Sequence, residues 1–192
     1  MRDKIKDLLL ESIQVKEELL RSNIGQIKEI ADMIIDTLKK NGKILVFGNG
    51  GSASDSQHIA AEFIGRFKKE RNPLAAIALT TNTSILTALA NDYGYETVFA
   101  KQIEALGQKD DVAIGISTSG KAKNVSAAIK QAKKMGIKTI ALSGGDGGEI
   151  AKLADLSLVV PSTVTARIQE AHITIAHIIC ELVEDNACSI QK

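Results

Sequence analysis

Tryptophan is absent from this 192-residue chain, and aromatic residues as a class make up 3% of it. So few rings cannot build a stacking platform for nucleobases or bare sugar rings, so a ligand here must be gripped by polar groups. There are 2 cysteines, Cys180 and Cys188, both near the C-terminus. Two thiols make no disulfide framework, and their spacing is not that of a metal-binding cysteine motif. A reducing compartment fits them best. An excess of charge of one sign is also missing. The formal net charge is +1, which supplies neither a basic field for nucleic acid nor an acidic tail. No apolar run reaches the ~20 residues of a membrane span. The opening MRDKIKDLLLESIQ is too charged for a signal peptide. The expectation is a cytoplasmic protein with no nucleic-acid and no membrane partner.

What is present is ordinary globular material, 44% hydrophobic and 24% charged, in a length that suits one domain. Residues 4–39 carry apolar residues at helical spacing, among them Ile27, Ile30, Ala31, Ile34 and Leu38. They predict one long helix, or two with a break near Ser22–Gly25, and a stripe that a neighbouring subunit is suited to cover. After Asn41-Gly42 the rhythm changes. Short β-branched runs follow at Lys43–Phe47, Leu74–Leu79, Val112–Ile116, Thr139–Leu142 and Leu156–Val160. Helical patterns lie between them at about 52–67, 83–106, 122–135 and 148–154, and a last helix runs from about Val164 to 185. Strands alternating with helices predict an α/β fold, a doubly wound five-stranded parallel sheet with extra helices over about 1–40 and no second domain.

In such sheets ligands bind beyond the carboxyl ends of the strands. The first strand runs into Gly48-Asn49-Gly50-Gly51-Ser52-Ala53-Ser54 and then a helix. Glycines permit tight turns, the helix start offers free N–H groups, and Ser52 and Ser54 add hydroxyls. The loop is suited to phosphate, although it lacks the lysine of a P-loop and the spacing of a dinucleotide fingerprint. The third strand runs into Ser117-Thr118-Ser119-Gly120-Lys121, again before a helix. Each loop alone reads equally as a capped glycine turn. Two together favour a phosphomonoester on a sugar. Asn91 and Asp92 follow the second strand's helix and are candidates for sugar hydroxyls, with helix-end capping as the simpler alternative.

The chain has 3 histidines, His58, His172 and His177. His58 and Glu62, four residues apart, share a face of an otherwise apolar helix. The last helix carries Gln169 and His177, eight residues and about 12 Å apart. Taken singly, each histidine fits a satisfied core position. As a set beside a phosphosugar site they fit acid–base and metal chemistry. Aldose–ketose isomerisation needs a base that moves a proton between adjacent carbons, and an acid or metal that polarises the carbonyl. Glu62 and His177 suit the acid–base pair. Zinc suits the mainly N/O donor set of His58, Glu62, Gln169 and His177, though other divalent metals are possible.

The stretches Asn49-Gly-Gly-Ser-Ala-Ser-Asp-Ser-Gln-His58-Ile-Ala-Ala-Glu62, Ala90-Asn-Asp92-Tyr-Gly, Gly115-Ile-Ser-Thr-Ser-Gly120 and Ala166-Arg-Ile-Gln-Glu-Ala-His172 resemble the phosphoheptose isomerase family of SIS-domain proteins. The resemblance runs over nearly the whole chain. It implies a single SIS domain over 1–192, with an N-terminal helical extension. It implies conversion of D-sedoheptulose 7-phosphate to D-glycero-D-manno-heptose 7-phosphate, toward nucleotide-activated heptose for lipopolysaccharide and other surface polysaccharides. It also implies a homotetramer with sites at subunit contacts and one zinc ion per subunit. Carried over by motif position, Asn49, Gly50, Gly51, Ser52, Glu62, Asn91, Asp92, Ser117, Thr118, Ser119 and Gln169 bind substrate. His58, Glu62, Gln169 and His177 hold zinc, and Glu62 and His177 are catalytic. Two positions depart from the pattern. Lys121-Ala122 stands where many members have Asn-Ser, and Ala122 cannot supply that hydroxyl. Ala166 stands where some members have Asp.

A rival comes from a related non-catalytic tetramer that binds the bacterial replication initiator. Its positions matching Glu62 and His177 are typically not acid–base residues, whereas both are present here. A third reading, a sugar-phosphate sensing domain, lacks a DNA-binding segment to support it.

Overall fold

The structure, a computed structural model, describes residues 1–186; Cys188 lies outside the described residues. Five strands form one sheet in the order β2-β1-β3-β4-β5: β1 (Ile44–Gly48), β2 (Ala76–Ala78), β3 (Val112–Ser117), β4 (Lys138–Gly144) and β5 (Leu156–Val160). Every neighbouring pair is parallel. The expected fold class is thus the observed one.

Helices α1 (Arg2–Ser22), α2 (Ile24–Lys39), α3 (Gly51–Ile64) and α8 (Thr165–Asp185) pack on one face. Helices α5 (Val98–Leu106), α6 (Lys123–Lys134) and α7 (Gly148–Leu153) pack on the other. Strand side chains divide accordingly. Ile44 and Val46 join the first core, while Leu45 and Phe47 join the second. A strand covered on both sides is apolar at every position, which is why β1 and β3 read as unbroken apolar runs.

Some element bounds differ from expectation, each for a local reason. The N-terminal helix breaks at Asn23, inside the predicted window. The pattern predicted as one helix over 83–106 is two, α4 (Thr83–Tyr93) and α5, parted by a 3-10 turn at Tyr95–Thr97. Gly94 between them has φ +86, outside the helical region and costly for any residue with a Cβ. The edge strand β2 is 3 residues long against the six expected; at its start the Leu74 N–H donates to the Phe63 carbonyl at 3.0 Å rather than to the ladder. Buried residues are absent from α4. Several large apolar side chains of α1, such as Leu9 at 61% and Ile13 at 51% exposure, face out.

Candidate active site

Strands β1 and β3 end side by side, with Gly48 opposite Ile116. Strand order reverses between them, since β2 lies beyond β1 while β4 and β5 continue from β3. The loops leaving two such strands diverge and open a crevice. Gly50 turns the chain at φ +56 directly from β1 into α3. Ser52 and Ala53 N–H groups donate to the Asn49 and Gly50 carbonyls, both at 3.0 Å. Gly51 lets Gln169 of α8 close on the loop, because a Cβ there would stand 2.2 Å from Gln169 Nε2. The cleft of about 200 Å³ is lined by Asn49, Ser52, Ser117, Thr118, Ser119 and Gln169, with Ile116 and Ala122 as its apolar wall. Ser52 and Ser117 are only 3% and 7% exposed, and their hydroxyls have no hydrogen-bond partner among the described residues. Hydroxyls that reach a cavity surface without a protein partner are prepared for a polar ligand.

The walls are rigid. Gly120 takes φ +65, and its carbonyl accepts from the Glu149 and Ile150 N–H groups at 2.9 and 3.2 Å. A Cβ at Gly120 would come within 2.1 Å of the Gly147 carbonyl oxygen, so the loops after β3 and β4 are interlocked. Asn49 and Asn124 exchange side-chain amide bonds, each 2.9 Å, and the Tyr95 hydroxyl donates to Asn49 Oδ1 at 3.0 Å. The Asn49 amide is therefore consumed by the scaffold, and what it offers a ligand is its main chain. Sequence reasoning missed Asn124 and Tyr95; an asparagine in the first turn of the helix after a serine loop was the available signal.

A second cluster forms where α3 meets α8. His58 Nε2 lies 3.0 Å from Glu62 Oε1 and 3.4 Å from His177 Nε2. One donor atom from each of the three residues falls within 4.8 Å of the others. Two nitrogens each about 2.0–2.1 Å from a tetrahedral zinc stand about 3.4 Å apart, so this donor set fits that ion. His177 is further held by Phe67, whose ring centroid is 5.4 Å away.

The end of α3 is locked in place. Arg71 donates to the Glu62 and Phe63 carbonyls at 2.8 and 2.9 Å, satisfying helix-end acceptors. Arg71 pairs with Glu184 of α8 at 3.1 Å, with side chains 5% and 2% exposed. Glu184 also accepts the N–H groups of Phe67, Lys68 and Lys69. Burial works against the Glu184 charge, but those three donors and Arg71 outweigh it and hold its carboxyl below the usual range. One ion pair therefore fixes α3, which carries His58 and Glu62, against α8, which carries His177.

Of the four predicted metal residues, His58, Glu62 and His177 meet at one point, and Gln169, two turns of α8 before His177, lines the loop cavity. Asn91 and Asp92 lie exposed at the end of α4, bonded to each other at 2.8 Å, and do not line the cavity. His172 is the core histidine. It is fully buried and donates from Nε2 to the Ser143 carbonyl at 3.1 Å, and burial pushes its pKa down to about 4. Asp55, one turn before His58, was not singled out from sequence. Its Oδ2 is buried without a partner, and burial raises its carboxyl while His58 partly offsets this.

The SIS domain family model matches residues 9–144. A phosphoheptose isomerase from Aquifex aeolicus is 54% identical over 188 residues, covering 98% of both chains. The chain belongs to the phosphoheptose isomerase family. It is an isomerase. A solved phosphoheptose isomerase from Neisseria gonorrhoeae superposes with TM-score 0.91 at 44% identity, covering 96% of this chain and 98% of that one. Another from Francisella tularensis gives 0.92 at 39%, covering 95% and 97%.

Proposed function

We propose that this sugar phosphate isomerase interconverts D-sedoheptulose 7-phosphate and D-glycero-D-manno-heptose 7-phosphate, in the cytoplasm, as a step toward surface polysaccharide. The observation that carries the proposal is the meeting of Glu62 and His177, donor atoms within 4.8 Å of each other, although 115 positions separate them in sequence (177 minus 62). The phosphate sits in the cavity of Ser52, Ser117, Thr118 and Ser119, where hydroxyls and main-chain N–H groups meet its charge. The rest of the sugar then extends toward α3 and α8.

His58, Glu62 and His177 would hold a divalent ion, with Gln169 approaching from the cavity side. When bound, such an ion supplies Lewis-acid polarisation of the sugar carbonyl. Glu62 Oε1 is engaged by His58, whereas Oε2 makes no hydrogen bond to a described residue. Oε2 is the base: it takes the proton from C1 of the ketose and returns it to C2 of the enediol. The C1 hydroxyl proton leaves as the C2 oxygen gains one, and His177 carries that exchange. The atoms balance, since one hydrogen moves from C1 to C2 and one between their oxygens.

Assembly as a homotetramer is supported by two uncovered surfaces, the apolar residues of α1 and the unburied helix α4. A partner over α4 would bring cover to Asn91 and Asp92, which one copy leaves in solvent. The rival non-catalytic tetramer gives Glu62 and His177 no reason to converge. The test is turnover of sedoheptulose 7-phosphate by purified protein, with elemental analysis of the same sample. Turnover with about one zinc per chain is expected; absence of turnover in metal-replete protein would end the proposal.

A further inference from the structure

Next to the phosphate cavity lies a second, open one of about 380 Å³, and Thr118 and Ser119 line both. Its remaining walls include Lys121, Asp146 and Thr165. Among the described residues, Lys121 is the only cation lining either space. It occupies a position that chain electrostatics alone disfavours. It directly precedes Ala122, the N-cap of α6, where the helix dipole is positive and the first turn contains no acidic residue. Ala122 gives that helix no side-chain cap; Asn124 Oδ1 accepts the Val125 N–H at 3.0 Å, and the other N–H groups of the first turn have no side-chain acceptor among the described residues. Lys123, the next basic residue, is already paired with Glu96 at 3.0 Å.

The backbone beneath Lys121 is fixed while its side chain is not. Gly120 is interlocked with Gly147 and Gly148, and the Lys121 N–H donates to Ser119 Oγ at 3.2 Å. Beyond that anchor the ammonium reaches, among the described residues, only Asp146, at 3.6 Å, with side chains 68% and 71% exposed. So open an ion pair holds its partners weakly. A phosphomonoester carries more charge than one carboxylate and three strong acceptors, and the hydroxyls that would hold it flank the lysine's own anchor.

Resting on the phosphosugar reading above, we infer that Lys121 is a further substrate-binding residue of this site: it leaves Asp146 and closes over the substrate phosphate from the open side. Its ammonium supplies the charge that the hydroxyl-built cradle lacks, and it does so beside Ala122, where the cradle has no hydroxyl to give. Asp146 is then a competitor for the lysine that a bound phosphate displaces.

The test is calorimetric titration of the full chain with inorganic phosphate, comparing wild type, Lys121→Gln and Asp146→Asn. Steady-state kinetics on sedoheptulose 7-phosphate run alongside. Both side chains are exposed, and thermal melts confirm that the variants fold. Lys121→Gln should weaken phosphate binding about tenfold, the usual order for one charge-assisted contact. It should raise KM by a similar factor while kcat moves less than about twofold. Asp146→Asn should tighten phosphate binding about twofold by removing the competitor. Equal phosphate affinity in wild type and Lys121→Gln overturns the inference, whatever the kinetics show. Lysine-dependent phosphate binding without turnover upholds it while the heptulose reading fails.

Discussion

The two halves of the site are built by opposite means. The loop cavity is made of main chain and short hydroxyls, held by glycine contacts and the Asn49–Asn124 amide exchange. The histidine cluster is made of side chains from two helices, half-open to solvent, with His58 at 46% and Glu62 at 22% exposure. The first half is rigid because its backbone can go nowhere else. The second is positioned only as well as α3 and α8 are held together. A site of this kind anchors the unreactive end of a substrate on scaffold and leaves the reactive end to groups that must exchange protons.

This contrast can be broken most severely at the reacting end. Glu62→Gln keeps shape and hydrogen bonding but removes the base. Its kcat should fall by about 10³-fold with KM little changed, within the range for a lost general base; a fall below about tenfold would assign the proton transfer elsewhere. Next comes the clamp. Arg71→Ala leaves Glu184 charged and buried without its cation, which typically costs about 3 kcal/mol or more. Chemical denaturation should show that loss. It should also show a much smaller one for the joint replacement Arg71→Met with Glu184→Met, since no unpaired charge remains. A stable Arg71→Ala with full metal content would mean that the clamp does not hold the cluster.

Protonation offers a milder probe. His172 is buried with its pKa lowered from 6.5 to about 4, so between those values the unfolded chain binds the proton that the folded chain refuses. Stability is therefore complete above about pH 6.5 and falls as the pH drops toward 4. The loss is about 2–3 kcal/mol, with a much flatter profile expected for His172→Gln. Smallest is the effect at the rigid end. Gly51→Ala places a methyl against Gln169, which should displace that amide and raise KM about tenfold with secondary structure intact. An unchanged KM would show that Gln169 does not need to close on the loop.

The same contrast decides what the sequence made legible. The loops at Gly48–Ser54 and Ser117–Gly120 could be read locally, because a turn that needs positive φ and a helix start rich in hydroxyls are written in consecutive residues. The pairing of His58 and Glu62 also follows from helical spacing alone. The arrival of His177 at that pair depends on how α8 crosses α3, which the Arg71–Glu184 ion pair fixes at positions that carry no motif. Gln169 shows the limit most clearly. Spacing along the helix leaves open whether it joins the cluster or the cavity, and it is Gly51, on another element, that makes room for it at the cavity. The broken helix around Gly94 was missed because an apolar helical rhythm continues on both sides of a residue whose backbone does not. His172 was grouped with the other histidines because burial against β4 is invisible in its neighbours.

The claim beneath all of this is that Glu62 and His177 act as one unit on the sugar. A double-mutant cycle reads it directly, by measuring kcat on sedoheptulose 7-phosphate for Glu62→Gln, His177→Gln and the pair together. If the two groups cooperate in one proton relay, the double variant should be no slower than the worse single variant within about threefold. Losses that multiply across the cycle would show two residues acting independently, and would contradict the account.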